Sequence, residues 1–235
     1  QGLSKENEMT KFVRVIDTER CFGCRSCVAA CAVENNFTPD APWNVMIESE
    51  TGTFPSVARN FVTMSCQHCE NPPCKTACDA AGFKAISKNE YGVVLIDYNK
   101  CTGCKYCVAV CPYGVPQFND KVEQLYPGSE KTAYEMAKPR HPTHAKKAKV
   151  VEKCTFCWHK LEVAINSGQT ALIGKAPEFT PTCDLVCPTG ARVFGDIDDP
   201  TSTVSAYISR KKATQLKKEF GTKPQTYYVL NGGEQ

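Results

Sequence analysis

The chain has 235 residues, 42% of them hydrophobic and 23% charged, with a formal net charge of +3 and 16 cysteines. It is long enough to bury a core without disulfide staples, so cysteine at roughly 7% of the chain, well above ordinary usage, needs another explanation. The small, evenly spread charge argues against a nucleic-acid partner, and the longest apolar run, CVAACAV over residues 27–33, is far short of the roughly 20 residues that span a bilayer.

Residues 1–11 (QGLSKENEMTK) are polar and carry no apolar signal region; a removed signal and a start at Met9 are both open. The β-branched run Phe12–Ile16 predicts a strand, as do Val93–Ile96 and Val193–Ile197. Between them the cysteines fall into four groups of four. These are Cys21, Cys24, Cys27, Cys31; Cys66, Cys69, Cys74, Cys78; Cys101, Cys104, Cys107, Cys111; and Cys154, Cys157, Cys183, Cys187. Groups one and three share C-x2-C-x2-C-x3-C, the run in which three thiolates bind one [4Fe–4S] cluster and the fourth reaches another. Gly23 and Gly103 give each tight loop its backbone freedom, and Cys27–Glu34 and Cys107–Val110 predict short helices leading away from the loops.

Residues 119–150, rich in Lys, Pro and His, read as an extended surface insertion. The 25 residues between Cys157 and Cys183 predict a helix at Leu161–Ser167 and then a Gly/Pro loop. A C-terminal helix over Pro200–Lys212 is expected, capped by Asp199, with Arg210, Lys211 and Lys212 at its favourable end.

The repeat extends beyond the cysteines: RVIDTERCFGCRSCVAAC at 14–31 aligns with VLIDYNKCTGCKYCVAVC at 94–111, an offset of 80 residues. Zinc sites would leave the third cysteine of each run surplus, and cysteines three apart in a tight loop are poorly placed for disulfides. Four clusters with four thiolates each use all sixteen. No phosphate-cradling glycine loop is present. His68 and His159 read as loop side chains rather than ligands, Trp158, Tyr106 and Phe156 as packing around clusters, and Arg25, Lys75 and Lys105 as solvated charges. Four oxidised clusters at about −2 each take the loaded chain to about −5, so the lysine excess reads as compensation for buried negative charge.

The stretches VIDTERCFGCRSC, MSCQHCENPPCKTAC, DYNKCTGCKYCVAVCPYG, VEKCTFC and CPTGARVFGDIDDP resemble the four-cluster ferredoxin subunits of the molybdopterin oxidoreductase family, which partner dimethyl sulfoxide, polysulfide, thiosulfate, tetrathionate and arsenate reductases. The resemblance covers nearly the whole chain. It implies an α+β fold of two interleaved ferredoxin-like units with loop insertions and a C-terminal helix. One unit would be 1–59 plus 151–235 and the other 60–118, with 119–150 inserted. It implies one [4Fe–4S] cluster on Cys21, Cys24, Cys27 and Cys187, a second on Cys31, Cys154, Cys157 and Cys183, a third on Cys78, Cys101, Cys104 and Cys107, and a fourth on Cys66, Cys69, Cys74 and Cys111.

The expected role is electron transfer, without catalysis in this chain, between a molybdopterin catalytic subunit and a membrane quinone or haem partner. Membrane association would come through those partners, with the periplasmic side favoured. A subunit of a formate dehydrogenase or hydrogenase, or a structural iron–sulfur assembly module, is the alternative.

Overall fold

In the computed structural model, which describes residues 10–122, 141–144 and 147–230, the first apolar run forms β1 (Phe12–Asp17), buried along its whole length. It is the centre of a three-stranded sheet, antiparallel to β8 (Arg192–Asp196) and parallel to β9 (Thr226–Val229). Strand periodicity divides β1 into two faces. Val13 and Val15 pack with Val204 and Val229 in one core, while Phe12 joins the larger core that contains the cysteines. Arg14 shares the face of Phe12.

The remaining strands pair as hairpins or short ladders. β2 (Asn44–Thr53) and β3 (Ser56–Ser65) form a ten-residue hairpin, paired from Asn44↔Ser65 to Thr53↔Ser56. β4 (Ile86–Lys88) pairs with β5 (Val94–Ile96), and β6 (Gln117–Asn119) with β7 (Val150–Glu152). The long hairpin was not evident in the sequence, because its outer half, ESETGT and SVARN, is exposed and polar.

Six α-helices are described. They are α1 (Ser26–Asn35), α2 (Pro73–Ala80), α3 (Tyr106–Ala109), α4 (Trp158–Asn166), α5 (Thr182–Leu185) and α6 (Thr203–Lys211). Of the insertion at 119–150, residues 123–140 and 145–146 lie outside the described residues; its two ends are tied into the β6–β7 ladder.

The C-terminal helix starts later than its sequence suggested. Ser202, not Asp199, caps it, accepting the Ser205 N–H at 3.2 Å. Asp199 instead accepts the N–H and hydroxyl of Thr201 at 2.8 and 2.6 Å, closing an Asx turn that holds Pro200 outside the helix.

The segment leading into β9 straps the two halves together. Its residues 222, 223 and 225 bond the backbone of Asn71, Glu70 and Gln67 at 2.8–3.1 Å, and Tyr113 Oη lies 2.7 Å from Thr222 Oγ1.

Candidate metal centres

Two quartets surround voids. Cys21, Cys24, Cys27 and Cys187 line one of about 360 Å³, its open mouth included, together with Met46 and Thr63 of the hairpin and Arg192 of β8. Cys78, Cys101, Cys104 and Cys107 line another of about 340 Å³ with Ile86, Ile96 and Val151. The other eight cysteines sit deeper. Cys31, Cys154, Cys157 and Cys183 are all buried; burial first, then the neighbouring Cys183, Cys154 and Cys157, holds the Cys31 thiol well above its ordinary range. Cys66, Cys69 and Cys74 are buried and Cys111 half-buried; burial, then Cys66 together with Cys111 and Cys69, pushes Cys74 up to about 12 against the opposing charge of Lys153.

Helix geometry links these groups in pairs. Cys27 and Cys31 lie one turn apart on α1, and Cys74 and Cys78 one turn apart on α2. In each case one thiol faces one quartet and the second its neighbour. The C-x2-C-x2-C loops share a backbone device: a glycine at positive φ (Gly23 at 78°, Gly103 at 70°), followed by a left-handed residue that starts the helix (Arg25 at 61°, Lys105 at 64°). In group four Phe156 and Cys157, at 55° and 52°, play that part.

A Cβ at residue 103 would lie 2.2 Å from the Lys149 carbonyl oxygen. Gly103→Ala is therefore expected to destabilise the loaded chain by about 1–3 kcal/mol and to speed iron loss to a chelator. Wild-type iron retention and melting temperature would show that the loop can relax around the methyl group.

The donor set suits thiolates held by an iron–sulfur core. Among the described residues no three Cys, His, Asp or Glu side chains converge on a single-ion site, whereas a cubane takes each thiolate at a separate iron and needs them spread around a void. Backbone N–H groups point at sulfur in several places: His68 to Cys66 at 3.5 Å, Ala85 to Cys78 at 3.3 Å, Val151 to Cys101 and Phe156 to Cys154 at 3.4 Å. Asn35 Nδ2 donates to Cys31 Sγ at 3.4 Å. Such donors favour an anionic sulfur.

The two histidines have structural partners. His68 is fully buried, accepts the Val94 N–H on Nδ1 at 3.0 Å and packs 3.7 Å from the Phe156 ring; burial holds its imidazole far below the usual range, hence neutral. His159 Nε2 lies 2.7 Å from Glu34, tying α4 to α1, and that hydrogen bond holds the Glu34 carboxyl down to about 2. Trp158 and Phe156 are buried as expected, but Tyr106 is 57% exposed. Arg25 pairs with Glu48 and Lys75 with Asp79, all partly solvated.

Three buried cations escaped the sequence reading. Arg14, at 0% exposure, donates from Nε and Nη2 to Asp184 at 2.7–3.0 Å and from Nη2 to Cys183 Sγ at 3.3 Å. Arg192 donates from Nε to Asp184 at 3.0 Å and from Nη2 to Cys183 Sγ at 3.4 Å, and also bonds Thr63. The signal was present as an arginine inside each apolar strand, FVRVID and RVFGD. Buried Lys153 lies beside Cys154, bonding the Val94 and Cys154 carbonyls. Charge compensation at the cysteines thus includes two buried arginines and one lysine, rather than the general lysine excess alone.

Two family models described as 4Fe-4S dicluster domain match residues 57–127 and 93–162, which defines the chain as a ferredoxin of the paired-cluster class. It is 37% identical over 234 residues to a Halobacterium salinarum protein provisionally named as the iron–sulfur subunit of a dimethyl sulfoxide reductase, covering 94% of this chain and 79% of that one. It is 34% identical to a selenate reductase subunit of Mesobacillus selenatarsenatis (97% of this chain, 75% of the relative). It is also 34% identical to the arsenate respiratory reductase iron–sulfur subunit of a Shewanella species (93% and 96%). The chain belongs to the four-cluster iron–sulfur electron-transfer subunits of the molybdopterin oxidoreductase family.

Proposed function

We propose that this chain conducts electrons between a molybdopterin catalytic subunit acting on a sulfur, selenium or arsenic oxyanion and a membrane quinone or haem partner, without bond chemistry of its own. The observation that carries this reading is the pairing of cysteine quartets along shared helical turns, which makes a continuous series rather than four separate sites. Each bound [4Fe–4S] cluster supplies a one-electron redox centre.

The proposed ligand sets are Cys21, Cys24, Cys27, Cys187; Cys31, Cys154, Cys157, Cys183; Cys66, Cys69, Cys74, Cys111; and Cys78, Cys101, Cys104, Cys107. Their spatial order follows from shared elements. α1 carries Cys27 and Cys31, joining the first set to the second. Cys154 is an electrostatic neighbour of Cys66, and Phe156 packs on His68, joining the second set to the Cys66 set. α2 then carries Cys74 and Cys78, joining that set to the last.

The two terminal sets each contain an exposed cysteine, Cys24 and Cys104, whereas the second set is wholly buried and the Cys66 set nearly so. Exposed ends suit exchange with partners, and a buried middle keeps water out. Two units are proposed, 1–59 plus 151–235 and 60–118, with 119–150 inserted. The complete hairpin through Ser65 is better counted with the first unit, whose void Met46 and Thr63 line. No described helix is long and apolar enough to cross a membrane, and in this reading the partner supplies the anchor.

The complex isolated from its source is expected to contain molybdenum with pterin and about sixteen iron atoms per copy of this chain. Dithionite should reduce the clusters, and the purified partner's oxidised substrate should reoxidise them. Nickel in place of molybdenum would overturn the choice of partner. About four to eight iron atoms would overturn half the ligand assignments.

A further inference from the structure

Among the described residues, a dense group of buried charges lies around one cysteine. Antiparallel register places Ile16 opposite Arg192 and Arg14 opposite Phe194, so the two arginines sit diagonally on the inward face of the sheet. Both guanidiniums reach the same two groups, the Asp184 carboxylate and Cys183 Sγ. Two fixed cations share one anion, leaving a surplus positive charge in a region with almost no solvent. Side-chain exposure is 0% for Arg14, 2% for Arg192 and 1% for Asp184. The ring of Phe156 lies 4.7 Å from the Arg14 guanidinium carbon and closes one side.

The charges elsewhere are arranged differently. Arg25, in the loop of the first set, is 63% exposed and neutralised by Glu48. Lys75 is paired with Asp79, and Lys105 is exposed with its ammonium over Phe118. Glu34, an acid near Cys157, is partly solvated and bonded to His159. Lys153 is buried but directed to backbone carbonyls. Only at Cys183, among the described residues, do charged donors reach a cysteine sulfur.

Resting on the cluster reading above, we propose that Arg14, Arg192 and Asp184 form a potential-setting element. Its surplus charge, delivered to Cys183 Sγ through two N–H donors, makes the site of Cys31, Cys154, Cys157 and Cys183 easier to reduce than that of Cys21, Cys24, Cys27 and Cys187. The physical cause is Coulombic. Accepting one electron takes the ligated core from about 2− to about 3−, and a nearby unscreened cation favours the more negative state, strongly at low dielectric and weakly in water. Arg192 also lines the void of the first set, but the cysteines beside Arg14, Cys183 and Cys154, both belong to the second, and the first set is open to solvent at Cys24. An electron entering at the Cys24 end then moves inward to a lower-energy site. The three residues are positioning residues that act through the ligand sulfur.

The test is a redox titration of the iron-loaded chain followed by electron paramagnetic resonance. Cys31→Ser and Cys21→Ser each lose or alter one component and so label the two sites. In the unaltered chain the Cys31-labelled component should be reduced at the higher potential. Arg192→Gln should shift its oxidised-to-reduced ratio at fixed potential at least tenfold toward oxidised, or 59 mV for a one-electron couple. Asp184→Asn, which removes a negative charge but keeps a carbonyl acceptor, should shift it the opposite way. Arg192→Lys, which keeps the charge, should stay near the parent.

A merely structural role would not produce shifts of opposite sign. Four components unmoved by Arg192→Gln, or moved in the same direction by both charge-changing variants, would overturn the proposal while leaving the clusters intact. If Asp184→Asn does not load iron, the Gln and Lys pair at residue 192 decides. If that pair also fails, the order of the two labelled components in the unaltered chain decides, and a lower potential at the Cys31 site overturns the proposal. A chain with no titratable components would instead overturn the cluster reading itself.

Discussion

Stripping iron from the chain with a chelator is expected to abolish its cooperative tertiary structure along with its colour. Ten of the sixteen cysteines are buried, and nine of these are part of the two larger cores, with Cys27, Cys31, Cys66, Cys69, Cys154 and Cys183 in one and Cys74, Cys78 and Cys107 in the other. The regular structure around them is slight: one three-stranded sheet and three strand pairs, with no described helix above ten residues. Two-stranded pieces are marginal on their own in water.

Without iron the buried thiols of Cys69, Cys74 and Cys183 are also neutral, since burial pushes Cys69 and Cys74 up to about 12 and Cys183 up to about 11. Arg14 and Arg192 then face one carboxylate and no thiolate. Binding energy for the metal is therefore folding energy for the chain. Loss of near-ultraviolet dichroism and rapid proteolysis are the expected readouts. An iron-free chain that still unfolds in one sharp denaturant transition would show that the polypeptide holds itself together.

Asp184→Ala is expected to be the most damaging substitution outside the cysteines, destabilising the loaded chain by about 3–5 kcal/mol. The carboxylate accepts from both guanidiniums, and all three side chains are almost fully removed from solvent. Removing it leaves two like charges facing each other in a buried region, with hydrogen bonds to Ser65, Thr63 and Cys183 and the Phe156 ring but no counter-charge from a carboxylate. A shift of the denaturation midpoint to lower urea, measured on iron-loaded protein with an unchanged slope, would record the loss. A shift smaller than about 1 kcal/mol would mean that the arginines find other partners.

How much of this was legible in the sequence depended on the kind of interaction. Cysteine spacing is local, so the loops at Cys21 and Cys101 and the glycines that turn them could be read directly. Apolar β-branched runs gave β1, β5 and β8 to within one residue at each end. α4 began at Trp158, three residues before its expected start, because the left-handed Cys157 launches it.

The hairpin β2–β3 was missed because an exposed ribbon stabilised by backbone pairing leaves little hydrophobic pattern. Asp199 and Ser202 are three residues apart and both chemically suited to capping. Choosing between them needed the position of Asp196, whose carbonyl accepts the Ser202 hydroxyl. The Arg14–Asp184–Arg192 group joins residues 170 positions apart, and only the sheet register brings them to one sulfur.

The placement of β9 beside β1 has a consequence for synthesis. The three-stranded sheet combines residues 12–17, 192–196 and 226–229, so a nascent chain emerging from the ribosome cannot complete it until residue 229 is available. All eight cysteines from Cys66 to Cys111 emerge much earlier, although residues 150–153 and 222–225, which pack against them, come later. With the ligand sets proposed above, two complete quartets of cysteines are therefore synthesised before either quartet that needs Cys183 or Cys187, so cluster insertion can begin in the middle of the chain.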